Sequence, residues 1–329
     1  MARGTDDELQ REHLLQLVAR RYWLEGRTQQ EVADELSFSR VSVSRLLDEG
    51  RRRGVVRITV GEPVDRDREL ERLLTALLRR RGGGRALRTC RVVQSLGRSQ
   101  QADQRLAGRE AARVLAGVLE PASRFGIASS RTMAPVLGFT ALLPRPAVVV
   151  ELLGSGRPGR RGGGGAGVGA EAAHLLGARH VDVPTPFVHR TAERAAVARR
   201  RHVVQEALEV GCRADVALFG AGSLQRFDGT GAHAPVAAQA LAEAAQDGAV
   251  GHLLGFFVDR AGRHVPTGVD ALRVGIGLDQ LRGVPRRVLL ARGPERAAVI
   301  GGAVAAGLVT DLVTDTAAAA AVLAAAARP

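Results

Sequence analysis

The 329-residue chain contains no lysine and no asparagine, so arginine supplies all 47 of its basic side chains. Without lysine the chain cannot form a Schiff base with a carbonyl substrate or with pyridoxal phosphate. It also cannot build the lysine-containing phosphate loop of nucleotide hydrolases. These enzyme classes are excluded. Arginine, alanine and glycine are abundant, a composition typical of GC-rich coding bias, so the formal charge of +13 partly reflects that bias.

Cysteines and long apolar runs are also scarce. Cys90 and Cys212 lie far apart and outside any Cys-x-x-Cys spacing, so neither a disulfide framework nor a zinc site is predicted. Four histidines lack metal-ligand spacing, namely His174, His180, His189 and His202. We therefore predict no metal and no cofactor. No run of about 18 apolar residues occurs and the N-terminus lacks a signal-peptide core, which indicates a cytoplasmic protein without a membrane partner.

Residues 28–57 have the pattern of two short helices joined by a tight turn. Thr28 is placed to cap the first helix and Ser39 to cap the second. Apolar residues recur at helical spacing on one face of each helix and predict a small shared core: Val32, Ala33 and Leu36, then Val43, Leu46 and Leu47. Gly54 ends the second helix, and the alternation over 55–60 indicates a strand or wing.

The outward face of the second helix carries short hydroxyls and arginines. Such a face suits the major groove of DNA, where arginine reads guanine and serine reaches bases or phosphates. The alternative to DNA binding is a solvated helical hairpin with an ordinary polar face. We predict a winged helix-turn-helix domain over 1–62 that binds a double-stranded DNA operator. The predicted DNA-binding residues are Thr28, Gln29, Ser39, Arg40, Ser42, Ser44, Arg45, Arg51 and Arg52.

Beyond this domain we predict a helical, basic linker over 63–90 and an α/β domain over 91–329. The linker helix has a leucine seam, Leu70–Leu78, that packs on its own domain or forms a dimer contact. Apolar strands then alternate with amphipathic helices, which favours a parallel sheet covered on both faces. Residues 147–153 are predicted to be an apolar strand, 193–211 one long helix, and 317–327 a terminal helix that packs through Val322 and Leu323.

Ligands in an open α/β sheet bind beyond the carboxyl ends of the strands, at helix N-termini. Three loops are predicted to lie there. Ser129, Ser130, Arg131 and Thr132 offer hydroxyls, backbone amides and one guanidinium to a phosphate. Gly154 follows a second strand, and Gly220 and Gly222 follow a third, although glycine after a strand is more often turn chemistry.

Three charged residues complete the predicted effector site. Arg292 follows a late strand, and Asp259 and Asp270 are either hydroxyl acceptors or ordinary loop residues. The same two carboxylates are the acid and base that an isomerase would need. No catalytic residue is predicted, because no nucleophile elbow, metalloprotease motif or paired carboxylate appears where strand ends would present it.

Taken together, these segments resemble the SorC family of sugar-sensing transcription regulators over nearly the whole chain. The stretch TQQEVADELSFSRVSVSRLLDEGRRRGVVRITV is similar to the family helix-turn-helix, and FGIASSRTM is similar to its strand-loop-helix phosphate loop. Six later segments resemble successive family segments in family order: VDVPTPFV, RADVALFGAGSL, DGAVGHLLGFFVDRAG, ALRVGIGLDQLR, ARGPERAAVIGGAV and GLVTDLVTD.

The resemblance implies a Rossmann-like α/β effector domain of the glucosamine-phosphate isomerase, ribose-phosphate isomerase and CoA transferase-like fold. It implies a non-enzymatic regulator of carbohydrate metabolism genes, controlled by a sugar phosphate or related effector and assembled as a homodimer or homotetramer. Two alternatives stay open: a sugar-phosphate isomerase-like enzyme fused to a DNA-binding head, and a regulator whose sensor domain only oligomerises. The chain departs from the family pattern at Ser129-Ser130, where Trp-Gly is common, and at His252, Phe256 and Arg296.

Overall fold

The computed structural model describes residues 3–56, 66–81, 87–95, 99–155, 167–224 and 234–327, with the backbone alone for 3–10 and 234–239. The chain divides into two compact units, Met1–Val64 and Asp65–Pro329. Within the described ranges, no helix has both the length and the apolar character that crossing a membrane requires.

The first unit is a bundle of short helices. Its elements are α1 (Arg3–Ala19), which continues as a turn of π-helix over Arg20–Leu24, then α2 (Gln29–Leu36) and α3 (Arg40–Arg52). Leu15 and Val18 of α1 are buried against the inward faces of α2 and α3, which carry Val32, Ala33, Val43, Leu46 and Leu47. The predicted helical pair and its shared core are therefore present. The predicted wing lies mostly in 57–60, outside the described residues.

The second unit is built on one large sheet. Its strands are β1 (Thr89–Val93), β2 (Arg124–Ile127), β3 (Val148–Glu151), β4 (Arg179–Val181), β5 (Val216–Ser223), β6 (Gly251–Leu253), β7 (Phe256–Val258), β8 (Arg286–Leu290) and β9 (Asp311–Asp315). Seven of them are parallel, in the order β1-β9-β8-β5-β2-β3-β4. The hairpin β6-β7 adds to the far end of β5 by antiparallel pairing.

Helices cover both faces of this sheet. They are α4 (Arg68–Arg81), α5 (Gln100–Ala116), α6 (Val168–Leu176), α7 (Ala192–Arg200), α8 (His202–Cys212), α9 (Ala234–Gln246), α10 (Leu278–Gly283), α11 (Ala297–Ala305) and α12 (Thr316–Ala327). One apolar core among the described residues joins the sheet to α4, α11 and α12, and another joins it to α5 and α6. The predicted α/β class with a doubly covered parallel sheet is confirmed.

Two predicted elements differ in detail. The helix expected over 193–211 is two helices, because Arg201 between α7 and α8 is extended, with φ −65° and ψ 127°. The terminal helix does pack through Val322, which is buried, while Leu323 is half-buried.

The leucine seam of the predicted linker belongs to the second unit. Leu74 and Leu78 of α4 are fully buried in the core that α11 and α12 share, and Leu70 and Leu77 pack against it. Leu73 keeps 41% of its surface exposed. Because most of the seam is used inside the unit, it is not a free apolar stripe for a dimer contact.

Candidate DNA-binding and effector sites

The helix-turn-helix is held by two well-formed caps. Thr28 Oγ1 accepts a hydrogen bond from the Glu31 amide at 3.2 Å, and the Glu31 carboxylate accepts one from the Thr28 amide at 2.7 Å. Ser39 Oγ accepts from the Ser42 amide at 3.1 Å. Ser37 closes α2 in the left-handed region, with φ 58°. The two predicted caps therefore fix the angle at which α3 leaves the turn.

The outward face of α3 is arranged much as the sequence indicates. Arg40 and Arg45 are exposed, as are Arg51 and Arg52 in the last turn. Arg51 is paired with Asp48, one helical turn earlier. The hydroxyl groups are less available: Ser44 is half-buried, and Ser42 Oγ lies 2.8 Å from Ser39 Oγ within the cap. Thr28 and Gln29 lie at the start of α2, with Thr28 exposed and Gln29 half-buried.

A second candidate site lies at the carboxyl ends of the central strands. Thr132 after β2 and Arg292 after β8 line one cavity of about 180 Å³. The first turns of α5 contribute two amides, Gln100 and Gln104, and β9 contributes Asp315 at its end. Arg292 lies 3.6 Å from Asp315 and 3.7 Å from Asp103. The structure thus brings together two of the predicted effector residues with polar groups from other elements.

Residues that follow β8, including Gly293 and Arg296, also line this cavity. The Gly293 amide donates to the Asp315 carboxylate at 3.1 Å, and Arg296 Nε donates to the Ala221 carbonyl at 2.9 Å. Sequence reasoning left Arg296, Gln100, Gln104 and Asp315 out of the site. Asp315 could have been found as the residue directly after the apolar run Leu312-Val313-Thr314, whereas the two glutamines reach the cavity only through the packing of α5.

The predicted phosphate loop after β2 is only partly free to hold a ligand. Ser129 Oγ donates to Glu151 Oε1 at 2.7 Å and accepts from the Gly169 amide at 3.0 Å, so its hydroxyl is used inside the protein. Arg131 and Thr132 are exposed. The chain then enters a 3₁₀ helix, Ala134–Leu142. Ser129 Oγ therefore holds the loop in place, and the contact of Ser129 with an effector stays a prediction.

Glu151 was missed because it lies inside an apolar run. The strand predicted as apolar contains this carboxyl group at its end, where only 1% of the residue is exposed. Burial, opposed by the hydrogen bond from Ser129, raises the pKa of Glu151 to about 7. A single acid within Val-Val-Val-Glu-Leu-Leu was the available signal.

The predicted glycines take part in close backbone packing. Gly220 and Gly222 lie within β5, not in a loop after it, because β6 pairs with Ala221, Gly222 and Ser223. A methyl group at Gly222 would lie 1.8 Å from His252 Nε2. At Gly154 it would lie 2.6 Å from the carbonyl oxygens of Thr185 and Pro186. These contacts explain Gly154 and Gly222 without a ligand, whereas a methyl group at Gly220 would meet its neighbours at 3.4 Å or more.

The two predicted carboxylates are held in local turns. Burial opposes ionisation of Asp259, but the hydrogen bonds that it accepts from Arg263 Nε at 2.8 Å and from the Arg263 and Ala261 amides at 2.9 and 2.8 Å hold its pKa below the usual range. Asp270 caps the Thr267 amide at 3.0 Å and lies 3.0 Å from His264 Nε2. Neither lines the cavity beside Arg292. The alternative of ordinary loop residues fits both better than an acid–base pair.

Comparison with known proteins gives the same assignment for most of the chain. Residues 76–324 match the family model described as a sugar-binding domain. The chain belongs to the SorC family of sugar-binding transcriptional regulators. The transcriptional regulator LsrR of Enterobacter sp. (strain 638) is 31% identical over 321 residues, covering 96% of this chain and 94% of that protein. LsrR of Escherichia coli K12 is 30% identical over 314 residues, covering 92% of each.

The fold agrees with that of a family member of known structure. The full-length sorbitol operon regulator SorC from Klebsiella pneumoniae superposes with a TM-score of 0.71 at 24% identity, covering 94% of this chain and 98% of that one. Because the LsrR proteins match over 92–96% of this chain, the family assignment spans the helix-turn-helix as well as the sugar-binding domain, and the chain is a DNA-binding transcriptional regulator with a sugar-binding domain.

Proposed function

We propose that this regulator binds an anionic sugar derivative in the cavity beside Arg292, and that the ligand changes its affinity for an operator. The proposal rests on buried polar atoms that have no hydrogen-bond partner. Arg292 Nε and Asp103 Oδ1 are both buried, and neither has a hydrogen-bond partner among the described residues. A buried polar group left in this way costs about 1–3 kcal/mol. Arg292 lines the cavity, so an anionic ligand there supplies its missing partner, and Asp103 lies 3.7 Å from Arg292.

The chemistry of the walls supports the same ligand class. Arg292 provides positive charge, while the charge of Arg296 is paired with Glu295. Gln100 and Gln104 both donate to and accept from hydroxyls, and the carboxylates of Glu295 and Asp315 accept from them. The cavity of about 180 Å³ lies below the usual range for drug-sized ligands, about 300–1,000 Å³, which favours a small polar molecule. Arg131, in the loop after β2, is the second residue that we propose to contact the anion. The backbone amides of Ser130 and Thr132 are proposed to donate to the same anion.

On the DNA side, we propose that Arg40 and Arg45 read bases while Arg51 and Arg52 contact phosphates. All four side chains are exposed on α3 or in its last turn. We further propose that the protein acts as a homodimer or homotetramer, because one helix-turn-helix alone covers too little DNA for specific binding at nanomolar concentration.

The test is a calorimetric titration of the full-length protein with a panel of sugar phosphates, each paired with its unphosphorylated sugar. We expect at least one sugar phosphate to bind and to be recovered unchanged, while its neutral partner binds at least about tenfold more weakly, the value of one charge-assisted hydrogen bond. If no member of the panel binds, the effector proposal fails. If a bound sugar phosphate is isomerised, the protein is also an enzyme.

A further inference from the structure

A buried junction joins three elements beneath the β2 loop. Glu151 at the end of β3 accepts a hydrogen bond from Ser129 Oγ at 2.7 Å, and Ser129 Oγ in turn accepts one from the Gly169 amide at the start of α6, at 3.0 Å. Ser129 thereby ties the loop to both neighbours. The fit around the carboxylate is tight, since a methyl group added to Gly169 would lie 2.3 Å from Glu151 Oε1.

The second oxygen of this carboxyl group is unsatisfied. Glu151 Oε2 is buried without a hydrogen-bond partner among the residues that the structure describes. A buried, ionised carboxylate with one unpaired oxygen is costly, so the neutral acid is favoured in this position. The loop that carries Arg131 therefore rests on a group whose charge depends on pH.

We propose that Glu151 is the positioning residue of the Ser129–Thr132 loop, and that its ionisation weakens the binding of an anion there. The inference rests on the proposed function of this loop as part of the effector site. The neutral acid holds Ser129 without adding charge. The ionised form places a negative charge, shielded from water, directly beneath the loop, where it opposes a second negative charge.

The charged surroundings act in the same direction as burial. Asp182, in the segment after β4, adds a negative charge that helps to raise the pKa of Glu151 to about 7. His180 on β4 is partly buried, and desolvation lowers its pKa. The helices packed on β3 carry their titratable groups in exposed or half-buried positions: Glu171, His174, His202, Glu206, Glu209 and Cys212. The ionisation of Glu151 therefore falls near neutral pH.

The test uses sulfate, a tetrahedral dianion whose own charge is constant between about pH 6 and pH 8.5. Its dissociation constant is measured calorimetrically on the full-length protein at both ends of this range. We expect the wild-type constant to rise by roughly fivefold or more from the lower to the higher pH. Glu151→Gln, which is neutral at every pH, should change by less than about twofold between the two pH values.

Two further variants separate the specific effect of Glu151 on the loop from the general effect of removing a negative charge. Asp182→Asn removes the charge that helps to raise the pKa of Glu151, so the transition should move to lower pH. Asp279→Asn removes a carboxylate that is 93% exposed in its side chain, and it should keep the wild-type profile. If wild type and Glu151→Gln bind sulfate with the same pH profile, the inference is overturned and the effector site stands. If sulfate binds no variant at either pH, the effector site itself fails.

Thermal unfolding without ligand gives an independent readout. The folded-state pKa of Glu151 is raised from 4.5 to about 7, so its contribution to stability is complete below pH 4.5 and is lost as the pH rises through 7. The melting temperature of wild type should therefore fall relative to Glu151→Gln across this window. Parallel melting curves at every pH would contradict the buried titration on which the inference depends.

Discussion

At the scale of single residues, arginines at the two ends of the parallel strands differ in how closely they pair with carboxylates. At the amino ends of the strands, Arg124 pairs with Asp215 at 3.0 and 3.1 Å, and Arg286 pairs with Asp311 at 2.6 and 3.1 Å. These are two-pronged, satisfied ion pairs. At the carboxyl ends, Arg292 stands 3.6 Å or more from its nearest carboxylates. Of these three arginines, Arg292 is the one without a close carboxylate partner, and its Nε retains hydrogen-bonding capacity for a ligand.

Removing one arginine from this edge should weaken the effector selectively. Arg131→Ala or Arg292→Ala should raise the dissociation constant of a confirmed sugar phosphate at least about tenfold, because each removes a charge-assisted hydrogen bond worth roughly 1.5–3 kcal/mol. Arg145→Ala, which removes the same charge from an exposed position away from the cavity, is the matched control. Calorimetric titration decides. Unchanged affinity in both variants would place the anion elsewhere.

At the scale of the element, the first turns of α3 are expected to contact bases and its last turn to contact phosphates. Arg40→Ala or Arg45→Ala should cost about 1–3 kcal/mol at the preferred operator and relax its base preference. Arg51→Ala or Arg52→Ala should weaken binding to all sequences and reduce its dependence on salt. Anisotropy titrations against specific and scrambled duplexes measure both effects. Wild-type operator affinity in the double variant Arg40→Ala/Arg45→Ala would show that α3 does not read bases.

A buried ion pair lies at the start of the second unit. Arg66 Nε donates to Glu71 Oε1 at 2.7 Å, and the same oxygen accepts from the Val92 amide at 3.0 Å. Both side chains are at most 10% exposed. Arg66→Ala leaves Glu71 buried without its partner and should destabilise the unit by about 3–5 kcal/mol.

The control for Arg66 is Arg72→Ala, since Arg72 is 73% exposed and its pair with Glu69 is at the surface. Exposed pairs contribute about 0–1 kcal/mol. Chemical unfolding of the two variants compares them directly. An equal, small loss in both would mean that the Arg66–Glu71 pair does not fasten α4 to β1.

Elements with a strong local period were predictable from sequence, whereas contacts between elements were not. The caps Thr28 and Ser39 follow from local chemistry, and the prediction agreed with the structure. The extension of β5 through Gly220 and Gly222 depends on pairing with β6, which is distant in sequence. Glu151 was concealed by an apolar run, and its partner Ser129 lies on another strand's loop. Contacts between segments that are distant in sequence cannot be predicted from the residue pattern of one segment.

At the scale of the whole molecule, assembly is expected to supply what one helix-turn-helix lacks. We predict a dimer or tetramer that binds two half-sites separated by about one helical turn of DNA or a multiple of it. Since Leu74 and Leu78 are buried within the second unit, the leucine seam is not the expected interface, and other surfaces of that unit are. Light scattering with and without operator measures this. A strictly monomeric protein with specific, nanomolar binding would refute it.

We expect occupancy of the cavity at the carboxyl ends of the strands to control DNA binding. The most direct measurement is operator affinity, by fluorescence anisotropy on a duplex selected by the protein from random DNA, with and without a saturating sugar phosphate that calorimetry shows to bind. We predict that operator affinity changes at least about fivefold for wild type and does not change for Arg131→Ala/Arg292→Ala at the same ligand concentration. A sugar phosphate that occupies the wild-type protein and leaves operator affinity unchanged would contradict it.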